Sequence, residues 1–516
     1  VTTSARTVAA AERLPSDLLA AVERYERAVV ADDVTTLDEM FAPGPATLRG
    51  DDAGLLVGHD AIGAFRAGRG GVAPRVLDRL EARRLAADCW LVVAVSRYVG
   101  GGSGLQTQVW RRDDGRWVVV AAHVTPRPRT FDRSVWRVVG DPLVPGASAG
   151  PLAGLRVAVK DVVAVAGQRI GAGNPTWLAA AGLEPAHAPV VEALVAAGAE
   201  LVGIARTDEL AYSLAGDNVH HGTPPNPSAP GALPGGSSSG PASAVSLGQA
   251  DLGLATDTAG SIRVPASYQG LWGLRTTHGR VSRTGVLPLA PSFDTVGWLT
   301  RDAASLLRTT QALLPDGVGV PGPLLLAVET LDEVDPAMRD AFLAAAEGLA
   351  VERVSVGALE PVAEAFRVVQ GAEAWRAHGA WCTAHPAALG GAVARRFRAA
   401  ADVTEDDERR ARDTLAGHRA ALRDLIGDGA LVLPAAPGPA PSRSAGAAAL
   451  DAVRTRLLRL TALAGAAGLP SVAVPWLATA AGPVGACLVG PAGSDVALVR
   501  RAAEIAPVPP PARGAR

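Results

Sequence analysis

The segment GGSSSGPASAVSLGQADLGLATDTAGSIRVP, residues 235–265, packs a glycine–serine loop, a helix, a strand and a second loop into one short stretch. A glycine–serine run at 235–240 is compatible with a flexible linker, but its flanks are ordered in character. Pro241 and the alanine-rich ASAVSLGQA read as a helix start and body, proline being accepted in the first turn. Leu252 to Ala255 reads as a buried strand and Thr256 to Gly260 as a tight loop, which puts Ser261 on a turn just beyond a strand. Pro265 is expected to open another helix. Working outward, the whole region from Phe131 alternates strand-like and helix-like runs, the pattern of an α/β fold. LRVAVK is a short strand ending at Lys160, Val190 to Ala199 a helix followed by the strand LVGIA, and Thr207-Asp208-Glu209 the start of another helix.

Lys160 is the single lysine among 49 lysine and arginine residues. A coding bias toward arginine explains the absences but not the survivor, which ends an apolar run. Arginine stays protonated, whereas a desolvated lysine can become a neutral base. Lowering a lysine pKa to about 7 costs roughly 4–5 kcal/mol, within reach of burial and directed hydrogen bonds. Serine attacks poorly until its proton is removed, and no cysteine or histidine stands in 235–265 to do so. A neutral Lys160 is a base for that task, directly or through a second serine. The small residues Ala259 and Gly260 would let backbone N–H groups reach a substrate carbonyl.

The chain has 516 residues, 48% of them hydrophobic, enough for more than one core. A net charge of -2 without basic runs argues against a nucleic-acid partner. Cys89, Cys382 and Cys487 form no disulfide or zinc pattern, and with no secretion signal or spanning segment visible the expected setting is the cytoplasm, away from membranes. His220-His221 lacks companion ligands at metal spacing, so no metal and no cofactor is expected.

Residues 13–126 read as a separate α+β unit. Ser16 is placed as a helix cap, with Leu18, Leu19, Val22 and Tyr25 at helical spacing. Strand-like runs follow at 90–98, 105–111 and 117–124, the last two joined at Asp113-Asp114-Gly115. Helices before a curved antiparallel sheet suggest a cone with a pocket. A proline-containing linker at 127–130 leads to the second domain, 131–507, and the proline-rich 508–516 is expected to be disordered.

The run from Gly235 to Pro265 resembles the amidase signature family, and the likeness extends to Gly154–Asp161 and to LVLPAAP, PSVAVP and GACLVGP further on. It implies a mixed central sheet covered by helices and amide hydrolysis by a Ser–Ser–Lys triad through an acyl-enzyme. Carried over by position, Ser261 is the nucleophile, Ser237 the bridging serine after a cis Gly236–Ser237 bond, and Lys160 the base. Thr258, Ala259 and Gly260, with Ser261, would supply oxyanion N–H groups. Gly235, Gly236, Ser238, Asp257 and Arg263 would support the loops, the last two as an ion pair. Ser239 and Ala259 depart from the commoner glycines at their positions. The segments GHDAIGAFRAGR and 106–125 are similar to AtzH-like, or SnoaL-like, cone domains. That resemblance would place Arg66, Arg69, Gln108 and His123 near a pocket. The cone unit is read equally as a binding site or as a packing and dimerising element.

Within the family, DELAYSLAGDNVHHGTPPNP, GNPTW and SFDTVGW are similar to indole-acetamide hydrolases, which implies a small-molecule amide cleaved to acid and ammonia. The AtzH-like unit implies instead biuret-like or carboxylated urea compounds. A glutaminase subunit of an amidotransferase and a non-catalytic receptor with this fold stay open as alternatives, as do a homodimer and a His278-based triad with Asp257 or Asp294. Trp375, Trp381 and Phe397 are named as residues that could line an acyl pocket.

Overall fold

The computed structural model describes residues 14–51, 54–69, 75–98, 103–125 and 132–506. The linker at 127–130 and the tail at 508–516 lie outside them. The chain divides into two compact units, 1–131 and 132–516.

In the first unit, helices Ser16–Ala31, Val34–Glu39 and His59–Arg69 accompany six strands among the described residues: β1 Leu48–Asp51, β2 Gly54–Val57, β3 Arg75–Ala86, β4 Cys89–Tyr98, β5 Ser103–Asp113 and β6 Arg116–Thr125. Leu18, Val22 and Tyr25 bury one face of the first helix. Ser16 is its first helical residue, after Pro15, and makes no capping hydrogen bond. The sheet runs β2-β1-β6-β5-β4-β3. It is not wholly antiparallel as expected, because β1 enters beside β6 in parallel. Asp113 pairs with Arg116 across a two-residue loop in which Asp114 has φ 48° and Gly115 φ 78°. Positive φ at both central residues gives the loop the twist its flanking strands need.

In the second unit the described strands are β7 Trp136–Val144, β8 Arg156–Lys160, β9 Glu200–Ala205, β10 Leu252–Asp257, β11 Trp272–Arg275, β12 Thr295–Thr300, β13 Leu324–Ala327, β14 Val351–Val354, β15 Ala430–Pro434, β16 Ser471–Thr479 and β17 Gly482–Val489. They form one mixed sheet in the order β14-β13-β15-β17-β16-β11-β12-β10-β8-β9-β7. Successive side chains of a strand point to opposite faces. Val157 and Val159 thus join one apolar cluster and Ala158 the other, so helices must cover both faces.

β10 lies parallel to β8, with Leu254 opposite Val159. β8 therefore ends level with Ala255, two residues before the end of β10, which sets Lys160 beside Thr256. Crevices outside strand carboxyl ends are where open α/β sheets bind ligands. Helix Ser239–Ser246 packs on β8 and β10, and its entry brings residues 235–238 to the same end. Three local expectations shift. Glu209–Ala211 is a single 3-10 turn, broken by φ 48° at Leu210. The helix after Ser261 begins at Arg263, leaving Pro265 inside the first turn. The helix expected at 190–199 spans Pro189–Ala196.

Candidate active site

The hydroxyls and the amine singled out in the sequence meet. Lys160 Nζ stands 2.9 Å from Ser237 Oγ, and Ser237 Oγ stands 3.1 Å from Ser261 Oγ. All three side chains are buried, and the Gly236–Ser237 bond is cis. Lys160 also donates to Thr256 Oγ1 at 2.8 Å and approaches Thr256 O at 3.5 Å. Sequence reading passed over Thr256, whose only signal was its place just beyond the strand that faces Lys160. Burial brings the Lys160 ammonium down to about 7, while the carboxylates of Asp208, Asp257 and Asp294 oppose that shift.

Asp257 braces the loop carrying Ser261 more thoroughly than one ion pair would. It accepts from the N–H groups of Gly260 and Ile262, each at 3.0 Å, and from Arg263 Nη2 at 2.8 Å. Arg275, unnoticed in the sequence, adds Nη1 at 3.0 Å. Burial alone would raise the Asp257 pKa, but Arg263 and Arg275 overwhelm it and hold the carboxyl well below the usual range. Asp257→Ala should leave two buried guanidiniums without their carboxylate and cost about 3–5 kcal/mol. A urea-unfolding midpoint close to that of the wild type would show that the arginines find other partners.

Gly260 departs from the expected oxyanion set, since its N–H is already given to Asp257. Its φ of 115° explains why glycine stands there. The N–H groups of Thr258, Ala259 and Ser261 have no protein acceptor among the described residues. Ala259 keeps a negative φ; its methyl joins the apolar cluster of Phe366 and Ala462, and its carbonyl lies 2.7 Å from Thr461 Oγ1. The other departure, Ser239, opens its helix and donates to Asp208 Oδ1 at 2.9 Å. Ser238 Oγ donates to Thr256 O at 3.2 Å. Gly235 has φ 76°, and a Cβ on Gly236 would overlap the Asp208 carboxylate. Asp208 is thus a further loop support that sequence reading did not single out.

The histidines lie elsewhere. His278 Nε2 lies 2.9 Å from Pro291 O, and Asp294 is occupied by Thr258 Oγ1 and the N–H groups of Leu289 and Ala290. His220 pairs with Glu209 at 2.6 Å, and no group of three metal-binding side chains occurs among the described residues.

A cavity of about 370 Å³ lies behind the serine loops, lined by none of their residues. Leu214, Tyr268 and Leu457 form its inner wall. Gly236 N–H donates to Leu214 O at 2.9 Å, and Thr461 Oγ1 lies 2.8 Å from Leu457 O as well as beside Ala259 O. Trp375, Trp381 and Phe397 are not on this cavity. They belong to a separate cluster in which Phe397 packs on Tyr212 at 5.2 Å and Trp381 on Trp177 at 5.2 Å.

In the first unit Arg66 is buried, donates to Leu37 O at 2.8 Å and lies over the Phe41 ring at 3.8 Å. Gln108 is buried on the same side and accepts from Trp110 Nε1 at 3.1 Å. His123 does not join them. It pairs with Thr107 while Gln108 pairs with Ala122, so the pleat sends His123 to the opposite, exposed face. The side chain of Arg69 lies outside the described residues. Arg49, missed in the sequence, is buried and stacks on Phe65 at 4.3 Å.

An amidase family model matches residues 141–316 and an AtzH-like model residues 9–128. Amidase 1 of Arabidopsis thaliana is 34% identical over 406 residues, 71% of this chain and 95% of that protein. A crystal structure of an amidase overlays with a TM-score of 0.65 at 30% identity, covering 72% of this chain and 91% of its own. An inhibitor-bound complex described as revealing the origins of an s-triazine catabolic enzyme overlays with a TM-score of 0.63 at 30% identity, covering 69% and 84%. Sequence likeness over nearly the whole length of a relative, together with the shared fold, makes this chain a member of the amidase family, a hydrolase acting on amides that carries an AtzH-like domain.

Proposed function

We propose that the chain hydrolyses a small carboxylic amide to acid and ammonia through Lys160, Ser237 and Ser261. The unbroken path from Nζ to Ser237 Oγ to Ser261 Oγ, 2.9 Å and then 3.1 Å, carries this reading. Thr256 supports it by occupying the amine's protons with two oxygens, which leaves the lone pair of a neutral Lys160 for Ser237.

In this mechanism Lys160 takes the Ser237 proton while Ser237 takes that of Ser261, and Ser261 Oγ bonds to the amide carbon. The free N–H groups of Thr258, Ala259 and Ser261 then face the oxyanion, fixed in advance by the Asp257 hub. The proton returns along the same path to the nitrogen, the C–N bond breaks and ammonia leaves. Water repeats the sequence on the ester, releasing the acid and restoring the neutral lysine.

The pH dependence follows from the sign of the Lys160 shift. The working form is the unprotonated one, so kcat/KM should climb about tenfold per pH unit below 7 and level off above it. A profile flat from acid to neutral pH would rule out an amine base titrating there. The direct test is intact-mass and peptide mapping after acidic quenching during turnover of a slowly deacylating ester or amide, with the acyl group expected on Ser261.

A further inference from the structure

Beyond the inner wall, the 370 Å³ cavity is edged by Arg396 and Arg454, which also border a second cavity of about 170 Å³. That smaller cavity is lined by Arg367, Arg395, Arg396 and Arg454 against one acid, Asp451. Arg367 is engaged with Glu364 at 2.8 Å, and Arg395 lies 3.9 Å from Asp451. Among the described residues Arg396 has only a backbone acceptor, Tyr212 O at 2.8 Å. Arg454 makes no hydrogen bond or ion pair among the described residues, and its Nε is fully buried without an acceptor.

Asp451 lines the larger cavity as well, and the other two acids of that cavity are engaged elsewhere. Glu209 is taken by Asn174 at 2.7 Å, His220 at 2.6 Å and Gly390 N–H at 2.8 Å. Asp217 accepts from Thr223 at 3.0 Å. Both arginines stand on helices, Gly391–Ala401 and Ala447–Ala467, and both are partly buried. Burial, and then the like charge of Arg396, bring the Arg454 guanidinium down to about 10. Two cations that share one nearby acid, Asp451, keep an excess of positive charge, and a planar carboxylate would match their N–H forks.

We infer that Arg396 and Arg454 form an anion subsite in the cavity walled by Leu214 and Tyr268, and that the preferred substrate is an amide bearing a carboxylate remote from the scissile bond. This rests on the amide hydrolysis argued above. The substrate's amide end would lie toward Leu214 and Tyr268, and its charged end at the paired arginines.

The test compares ω-carboxylated primary amides, from succinamic to suberamic acid, with methyl-ended amides of matching length. The best acid should exceed its neutral partner in kcat/KM by about 10–100-fold, the worth of a charged hydrogen-bond pair. In Arg454→Met and Arg396→Met that ratio should fall to near one, with Arg454→Lys keeping part of it. Calorimetry with adipate on the wild type and on Arg454→Lys gives a readout independent of turnover. Adipate binding that is weakened in Arg454→Lys would uphold the subsite even if no amide were hydrolysed. Hydrolysis of neutral amides without adipate binding, or a charge preference unchanged in both methionine variants, would overturn it while leaving the catalytic reading intact.

Discussion

Lys160→Arg should lower kcat/KM by at least about 10³-fold while leaving the fold in place, the range lost when a general base is removed from a hydroxyl nucleophile. The replacement keeps a cation where the proposed mechanism calls for a neutral amine. A guanidinium does not give up its proton near neutral pH, so Ser237 would have nothing to pass its proton to. It would also be larger than the space between Thr256 and Ser237. Lys160→Met separates the loss of the base from these effects, because it removes the base without adding a fixed cation or extra bulk. If arginine at 160 retained near-wild-type turnover, the proton path through Ser237 would have to be abandoned. Activity in both variants should stay low even above pH 8, where the wild type has reached its plateau.

Ser261→Ala should be at least as damaging, by about 10⁴-fold or more, and should abolish the trapped acyl adduct. Ser237→Ala should be severe but leave the nucleophile present, so a small acyl burst can survive. The contrast assigns roles: the variant at 261 loses bond formation, and the variant at 237 loses the relay. Adduct found on Ser237 or Ser238 in the Ser261→Ala protein would reassign the attacking atom. Effects at 160, 237 and 261 should not add, since each removal disables the same sequence of proton and bond transfers.

The parts legible in the sequence were those in which chemistry and chain position coincide. Lys160 was readable because one lysine survived among arginines, and Ser237 and Ser261 because glycine-rich loops flanked an all-apolar strand. Residues acting through long-range contact left weaker traces. Thr256 and Arg275 look like ordinary strand-end residues until β8, β10 and β11 are aligned. His123 was misplaced because alternation fixes its face only once its partner in β5 is known. Arg49 inverts the usual pattern, buried while neighbouring Leu48 is exposed. β3 was invisible because register irregularities between Leu77 and Arg79 and again near Arg84 break its alternation.

The Asp257 hub has a consequence for how such a chain can change over time. The proposed reacting groups and most of their braces come from residues 160–275, knitted into the sheet by one carboxylate and two guanidiniums. Much of the far cavity wall comes from 390–396 and 441–457, and of these segments only the helix Ala447–Ala467 reaches that knot, at Thr461, beyond its cavity-lining turns. Diversification of what is hydrolysed can therefore proceed by replacing side chains on those helices while the engine of hydrolysis is inherited whole. A laboratory library confined to the cavity-lining side chains of 392–396 and 445–454 should yield altered selectivity far more often than dead protein.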